Sequence, residues 1–473
     1  MVVLDVSRVL PGNTPQIFAT VAGTLTALSD GMHYGWSAPI IPLLQSPSSP
    51  VQISESDVVW IENIYLLGGL IGIPLTIYIL DKFGRKNAML IAAVEYLIAW
   101  LLIAFASSVE VIFVARLITG IASDNNFVAT PVYIAEISHK KIRGRLGSLI
   151  YIMMLIGILL IYSIGPFISI AASSAVGAGI IVVQLLTFSF MPDSPYYLLV
   201  KNKKEEARRA LQILRSSKDV DDELDEIAKV VEVENKVRGR PKELFTVKSN
   251  RKAITIMTVL CFAQHYSSIS VMLMNIHMIL EDAAAIIPAS TAAIVFAALM
   301  LLACTLSAFL IDKVGRKILL LSSSFLTGLS LLVLASYFAI KENNIDVTDY
   351  NWVPVAAVMV YAVTFKYGLG LIPIVMTAEL FPTNIKALGC TLSDAMYVTA
   401  GASSVYLFHF LHRNFGMNVP FFLFGCSCLL VGVFVVFVIP ETKGKTLDEI
   451  QKLLKGEPLS TGKSKEIKTN TVP

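Results

Sequence analysis

Long apolar stretches separated by short polar ones run along almost the whole of this 473-residue chain. Because about 20 apolar residues cross the hydrocarbon core of a bilayer, each stretch predicts a membrane-spanning helix. The pattern predicts six spans, a polar insert at 201–252 and six further spans. The predicted spans are 17–44, 57–80, 88–107, 109–136, 145–168, 172–191, 252–280, 289–311, 318–340, 352–380, 386–411 and 419–439.

A charged hexapeptide occurs once in each half of the chain, as DKFGRK at 81–86 and as DKVGRK at 312–317. Each copy lies between two apolar stretches, so each predicts a tight charged turn between two spans. Such internal duplication is typical of transporters that hold their substrate between two related halves. The predicted fold class is therefore an all-α membrane protein with twelve transmembrane helices in two pseudo-symmetric six-helix halves.

The distribution of basic residues predicts how the chain is oriented. Of the 38 Lys and Arg residues, 33 lie in the insert, in the tail after Pro440 or in short turns on the same side. By the positive-inside rule, both termini and the insert should be cytoplasmic. The predicted parts are a tail at 1–16, a half at 17–191, a linker with amphipathic helices at 192–251, a half at 252–439 and a tail at 440–473.

Composition supports a membrane protein and disfavours other classes. Mean hydropathy is +0.69 and charged residues make up 15% of the chain, against about 25% in soluble domains. The five cysteines lie inside apolar stretches, which indicates buried thiols rather than a metal site. The sequence contains no nucleophile–base pair, metal set or phosphate loop, so we expect no enzyme, no cofactor and no nucleic-acid partner.

Opposite charges recur where each half should meet the cytoplasmic edge of the membrane. Charges at such depth are costly unless they are paired, and paired charges can hold helices together in one conformation and release them in another. We therefore predict a conformational latch in each half, with a purely structural role in anchoring loops as the alternative. The predicted latch residues are Asp81, Arg85, Glu136 and Arg143 in the first half and Asp312, Arg316, Glu379 and Lys386 in the second.

Further motifs follow the same order in the chain. They are R-x-x-x-G at 116–120, P-x-Y-x-x-E-I at 131–137, R-G-x-x-G-S at 143–148, P-D-S-P-Y-Y-L at 192–198 and P-E-T-K-G at 440–444. With the two hexapeptides, they make the chain similar to the sugar porters of the major facilitator superfamily from about Thr20 to Ile450. Residues 35–39 (GWSAP) most resemble insect facilitated trehalose and hexose transporters. The resemblance implies facilitative transport of a hexose, trehalose or related polyhydroxy solute across the plasma membrane by alternating access.

The resemblance also implies which residues bind substrate, and here the chain departs from the family. The family pattern Q-Q-L-S-G-I-N reads QHYSSIS at 264–270, a family Gln stands at Tyr151, and family tryptophans stand at Ile374 and Val398. A hexose, another polyol and a glycoside with a larger apolar part all remain open as substrates. We expect Tyr151 to supply the flat apolar face that sugars need. The predicted substrate-binding residues are Gln264, His265, Ser270, Tyr151 and Asn275.

Three ionisable residues are candidates for proton coupling, namely Asp30, His33 and Arg116. In proton-coupled members of the family, a carboxylate at the position of His33 pairs with the Arg at the position of Arg116. A neutral histidine there predicts facilitated diffusion without obligatory proton coupling, with Asp30 or Asp124 as the alternative partner of Arg116. A proton-coupled sugar symporter and a non-transporting nutrient sensor remain the alternatives. Other ionisable residues inside predicted spans are Glu62, Glu95, His265, His277, Lys366 and Asp394.

Overall fold

The computed structural model of the protein describes residues 14–457, apart from 48, 50, 140–141, 237–241, 282–286, 383–384 and 446. The predicted N-terminal tail therefore lies largely outside the described residues, and the C-terminal tail lies outside them beyond residue 457. Regular secondary structure in the described ranges is helical throughout. Nine of these helices are long and apolar enough to cross a membrane.

Helices of the first half follow the predicted order of spans one to six. They are Thr14–Gly23, Leu25–Gly35, Ser37–Gln45, Glu55–Ala104, Val109–Ile137, Arg143–Ile164 and Ile170–Phe188. The first three make up the predicted first span, and Glu55–Ala104 contains both the second and the third. The insert contributes the short helices Pro195–Val200, Lys204–Arg215, Asp221–Lys236 and Glu243–Thr246.

Helices of the second half correspond to predicted spans seven to twelve. They are Lys248–His265, Ile269–Glu281, Ala289–Val314, Arg316–Glu342, Trp352–Tyr367, Ile372–Leu380, Lys386–Phe415 and Asn418–Val438, followed by Leu447–Lys455. A short 3₁₀ turn at Thr348–Tyr350 precedes the tenth span. In the described ranges, nine membrane-length helical segments correspond to ten of the predicted spans, with the seventh at Lys248–Leu280 and the tenth at Thr348–Thr377 each counted as one segment although each contains a break. The two exceptions are the first span, which is divided into three short helices, and the eleventh, whose His, Ser and Thr residues lower its hydropathy.

The two hexapeptides form equivalent tight turns. The backbone reverses at Gly84, with φ 84° and ψ 177°, and at Gly315, with φ 103° and ψ 158°. This left-handed region favours glycine because a Cβ would be strained there. Space excludes a Cβ as well, since it would lie 2.4 Å from the Tyr197 ring at Gly84 and 2.7 Å from the Glu441 carboxylate at Gly315. The predicted charged turn thus occurs in both halves.

Three spans, the first, seventh and tenth, are interrupted rather than continuous. The seventh span breaks between its two helices at Ser268, a non-glycine residue with φ 75° at the position where the family pattern has glycine. The tenth breaks near Gly368, where the Ser323 hydroxyl donates to the Thr364 carbonyl and accepts from the Leu369 amide. Non-helical backbone within a membrane has to be satisfied by such bonds, and in transporters it lines the substrate site.

Helices of the insert pack on the ends of the spans, on the same face as the hexapeptide turns. Leu211 and Leu224 are buried in a small core of the insert, and Leu214 packs in a core cluster that includes Tyr133 of the fourth span. Arg215 donates to the Ile137 carbonyl at 2.8 Å. Leu214 and Arg215 thus hold the helix Lys204–Arg215 against the end of the fourth span.

Candidate substrate site and its gates

Among the described residues, each half contains one ion pair at the hexapeptide turn. Arg85 lies 2.9 Å from Glu136, and their side chains are 17% and 12% exposed. Arg316 lies 3.0 Å from Glu379 in the second half. Both pairs join a turn to the end of the fourth or tenth span, so each pair links helices of one half and does not itself connect the halves.

The remaining predicted latch residues are not brought into these pairs. Asp81 and Arg143 are exposed and Lys386 is half-buried, and none of the three forms an ion pair with another described residue. The side chain of Asp312 lies outside the described part of the structure. Within the described residues, the ionic core of each latch is thus one Arg–Glu pair.

A second acid caps the turn in the second half. Glu441, from the P-E-T-K-G motif after the twelfth span, accepts the backbone amides of Arg316 and Lys317, both at 3.0 Å. The next residue, Thr442, donates its hydroxyl to Glu379 at 2.5 Å. The motif therefore supports the turn and the latch acid together.

An equivalent cap occurs in the first half, after the sixth span. Asp193 accepts the backbone amide of Lys86, and the Ser194 hydroxyl bonds to Glu136. Sequence reasoning identified these two motifs only as family markers and did not connect them with the latches. The connection could have been predicted because both motifs begin with a proline, an acidic residue and a hydroxyl residue, in that order, directly after the last span of a half.

Although the caps are equivalent, their acids have different electrostatic environments. Burial raises the pKa of Asp193 above its ordinary value and outweighs its hydrogen bonds. Burial also acts to raise the pKa of Glu441, but backbone amides that include those of Lys443, Lys317 and Arg316 more than offset it and lower the pKa. Of the two capping carboxyl groups, Glu441 is therefore the one whose ionised form is favoured.

Predicted substrate-binding residues meet at the break of the seventh span. Gln264, His265 and Ser270 are all buried there. His265 Nδ1 and Ser270 Oγ are 2.7 Å apart, and Ser270 also bonds to the hydroxyl of Tyr34 in the first span at 2.8 Å. The rings of His265 and Tyr397 lie 4.2 Å apart. In this conformation Ser270 therefore bonds the site to the first half through Tyr34.

The other two predicted substrate-binding residues lie on either side of this group. Tyr151 is half-buried, packs 6.2 Å from the Phe127 ring and lies within electrostatic reach of Asp394 and Tyr397. Asn275 is buried and donates its side-chain amide to Glu62 at 3.2 Å. Tyr151 thus lies near the eleventh span, and the side chain of Asn275 is bonded to the second span.

Glu62 joins three spans from both halves on the face opposite the hexapeptide turns, here called the outer face. Its side chain is fully buried, and Oε2 accepts from Asn275 and lies 2.8 Å from His409 Nε2 in the eleventh span. A further cross-half bond runs from the Tyr162 hydroxyl to the Leu273 carbonyl. We call Glu62, Asn275 and His409 the outer bridge; it closes this face, and sequence reasoning missed it.

Arg116 is buried and forms no direct ion pair with another described residue. It donates to the carbonyls of His33 at 2.7 Å and Ile61 at 3.1 Å, and its guanidinium lies 4.6 Å from the centre of the Tyr65 ring. Glu62 and Asp30 are the carboxylates that act on it through space. Backbone carbonyls and an aromatic face therefore take the place of the expected carboxylate partner.

Asp30 and His33 are each held by aromatic residues. Asp30 accepts the hydroxyls of Tyr96 at 2.7 Å and Tyr65 at 3.2 Å. The His33 ring stacks on Trp100 at 3.7 Å, and its two nitrogens have no hydrogen-bond partner among the described residues. Likewise, no group of three or more His, Cys, Asp and Glu residues suited to a metal ion occurs in the described ranges.

Comparison with known proteins places these features in a family. Residues 18–454 match the family described as "Sugar (and other) transporter". The facilitated trehalose transporter Tret1 of Apis mellifera ligustica is 30% identical over 451 residues, which cover 94% of this chain and 89% of that relative. Tret1 of Polypedilum vanderplanki is 29% identical over 445 residues, which cover 93% and 88% of the two chains.

Solved structures share the same fold. The proton:xylose symporter XylE bound to 6-bromo-6-deoxy-D-glucose has a TM-score of 0.75 at 23% identity and covers 93% of this chain and 100% of its own. The inward-open XylE from E. coli has a TM-score of 0.76 at 22% identity and covers 92% and 99%. The predicted twelve-span fold in two halves is confirmed. The chain is not an enzyme. It is a multi-pass membrane protein that belongs to the sugar (and other) transporter family.

Proposed function

We propose that this protein moves a sugar, such as a hexose, trehalose or a related polyhydroxy solute, across the plasma membrane down its gradient by alternating access. The observation that carries the proposal is the sugar transporter match over residues 18–454. The curated relatives named above are facilitated trehalose transporters. The outer bridge joins the two halves at one face and so supplies one of the gates that alternating access needs. The latches support the opposite face by holding the helix ends of each half together.

In the proposed orientation, both termini and the insert are cytoplasmic and the outer face is extracellular. The clustering of Lys and Arg in the insert and in the turns on its side supports this orientation. Both latch pairs are formed in the conformation described above, together with the outer bridge. The proposed role of the latches is therefore to hold the helices of each half together at the cytoplasmic side, whereas the outer bridge holds the outer face closed.

The proposed substrate site comprises Gln264, His265, Ser270, Tyr151 and Asn275. When the outer bridge opens, Asn275 is released from Glu62, and the polar atoms of His265 and Ser270 become available for sugar hydroxyls. Hydroxyl, amide and imidazole groups provide both donors and acceptors for them. The Tyr151 ring offers a flat face to the C–H groups of the sugar.

Transport is proposed to be facilitated diffusion, without obligatory proton coupling through the first span. The support is that His33 stacks on Trp100 and lacks a hydrogen-bond partner in the described structure. Proton symport through Asp30 is the second candidate, because Asp30 is a buried carboxylate within the field of Arg116.

The test is uptake of radiolabelled hexoses, trehalose, polyols and glycosides by transport-deficient cells that express the protein at a verified surface level. We expect at least one solute to equilibrate without exceeding its external concentration. Accumulation driven only by an inward proton gradient, and lost in Asp30→Asn, would instead establish symport. Binding without uptake of any solute would favour the nutrient sensor and overturn the proposal.

A further inference from the structure

Two aspartates from opposite halves meet in the middle of the molecule. Asp124 lies in the fourth span and is buried, and Asp394 lies in the eleventh span and is half-buried. Their carboxyl groups lie within hydrogen-bonding reach of each other. Neither aspartate belongs to the motifs that the chain shares with the sugar porters, so those motifs do not explain this pair.

The hydrogen bonds of the pair require a proton. The Thr76 hydroxyl donates to Oδ2 of Asp124 at 2.5 Å, whereas Oδ1 is buried and receives no bond from another described donor. An ionised carboxylate can only accept hydrogen bonds. Two carboxyl groups in hydrogen-bond contact therefore hold one proton between them, because two adjacent negative charges would repel each other.

No cation among the described residues neutralises the pair in place of a proton. Neither aspartate is acted on by a Lys, Arg or His side chain of the described ranges. Lys386 lies two turns away along the eleventh span and acts on Cys390 instead. Tyrosine and cysteine side chains are ordinarily neutral at pH 7. The titratable groups within electrostatic reach of Asp394 are Tyr151, Cys261, Cys390 and Tyr397.

We propose that Asp124 and Asp394 form a proton-binding site between the two halves, in which one shared proton holds the fourth and eleventh spans together. The joined pair carries one proton and one negative charge. When the spans separate and water enters, this proton leaves to solvent and two carboxylates remain. Closing the cavity at this level is thereby linked to uptake of one proton, whichever solute the protein carries.

Infrared spectroscopy of the purified full-length protein tests the shared proton. Protonated carboxyl groups have a C=O absorption band of their own. At pH 7, the double variant Asp124→Asn/Asp394→Asn should show a weaker band than the wild type, by the intensity of one protonated carboxyl group. Glu95→Gln is the matched control, because Glu95 is a half-buried carboxyl of the third span that is not bonded to either aspartate. Glu95→Gln should leave unchanged the part of the band that comes from Asp124 and Asp394. An identical band in the wild type and the double variant would overturn the proposal.

Disulfide cross-linking tests whether the proton joins the halves. A Cβ at Gly69 of the second span would lie 3.2 Å from Val398 Cγ1, one turn beyond Asp394. Gly69→Cys/Val398→Cys, in a protein whose native cysteines are replaced by serine, should therefore form a disulfide when the halves meet. The same cysteine pair combined with Asp124→Asn corrects for the pH dependence of the thiols, since the amide keeps the contact with Asp394 at every pH.

Relative to the Asp124→Asn background, cross-linking should fall roughly tenfold per pH unit above the midpoint, because one proton is linked to the contact. Cross-linking of both proteins at about pH 5 shows that both fold. A constant ratio up to about pH 9 would refute the linkage. Cross-linking that depends on sodium at fixed pH would also refute it, because the pair would then hold a metal ion. Neither measurement uses a substrate, so failure here is distinguishable from a lack of sugar uptake.

Discussion

The outer bridge makes a quantitative prediction about which gate is open. Asn275 and Glu62 belong to different halves, so their 3.2 Å bond exists only while the outer face is closed. A hydrogen bond to a charged group contributes about 1.5–3 kcal/mol. Asn275→Ala should therefore shift the equilibrium toward the open outer face by about 10- to 150-fold, at about 1.4 kcal/mol for each factor of ten.

The assay is the labelling rate of Leu66→Cys by an impermeant maleimide added outside intact cells, in a background without native cysteines. Leu66 is one turn from Glu62 and only 6% exposed, and it contacts the eleventh span at Gly401. Opening the outer face exposes it, so Asn275→Ala should raise the labelling rate by the factor given above.

Asn63→Ala is the matched control for this experiment. Asn63 is also buried, but its amide donates to the Val59 carbonyl of its own helix and does not connect the halves. The same chemical change should therefore leave the labelling rate unchanged. Equal rates in Asn275→Ala and Asn63→Ala, at matched surface levels, would show that the bridge does not hold the outer face closed.

Three further predictions concern the latch, the pocket and the cap. Glu379→Gln removes the charge that bonds Arg316 and should lower uptake about tenfold at normal surface expression; unchanged kinetics would refute the latch. Tyr151→Phe should raise the KM of the transported solute about fivefold and Tyr151→Ala more, and unchanged affinity and substrate range in Tyr151→Ala would exclude it from the pocket. The pKa of Glu441 lies below its ordinary 4.5, so the stability that it contributes is present above that pH and lost as the pH falls through the lower folded value. Glu441→Gln should therefore be less stable at pH 7 and lose less on acidification in thermal unfolding, and parallel pH profiles would contradict this.

Much of the fold follows from local pattern. The predicted span at 145–168 is the helix Arg143–Ile164, and the one at 172–191 is Ile170–Phe188. The hexapeptide turns are equally local, because the glycine conformation and the charges that end the apolar stretches lie within a few residues. The Arg85–Glu136 pair could be predicted because both charges recur at the same place in the second half.

Contacts between the halves could not be predicted in the same way. Glu62 reaches Asn275 and His409 across 213 and 347 residues, and no repeat or motif relates these positions. Asp124 and Asp394 appeared in the sequence only as separate intramembrane acids. The break of the seventh span was hidden as well, because it occurs at Ser268 with φ 75°, where neither glycine nor proline interrupts the apolar stretch.

The two caps have a consequence for how the protein is made. Each half receives its cap from the residues directly after its own last span, so the turn at Gly84 waits for Asp193, 107 residues after Lys86. At about 5–20 residues per second of synthesis, this wait lasts roughly 5–20 s. The first half is then capped before the ribosome begins the seventh span, whereas the second remains uncapped until Glu441 emerges, 124 residues after Lys317. A chain truncated after residue 200 and released from the ribosome should thus already resist proteolysis at its first turn.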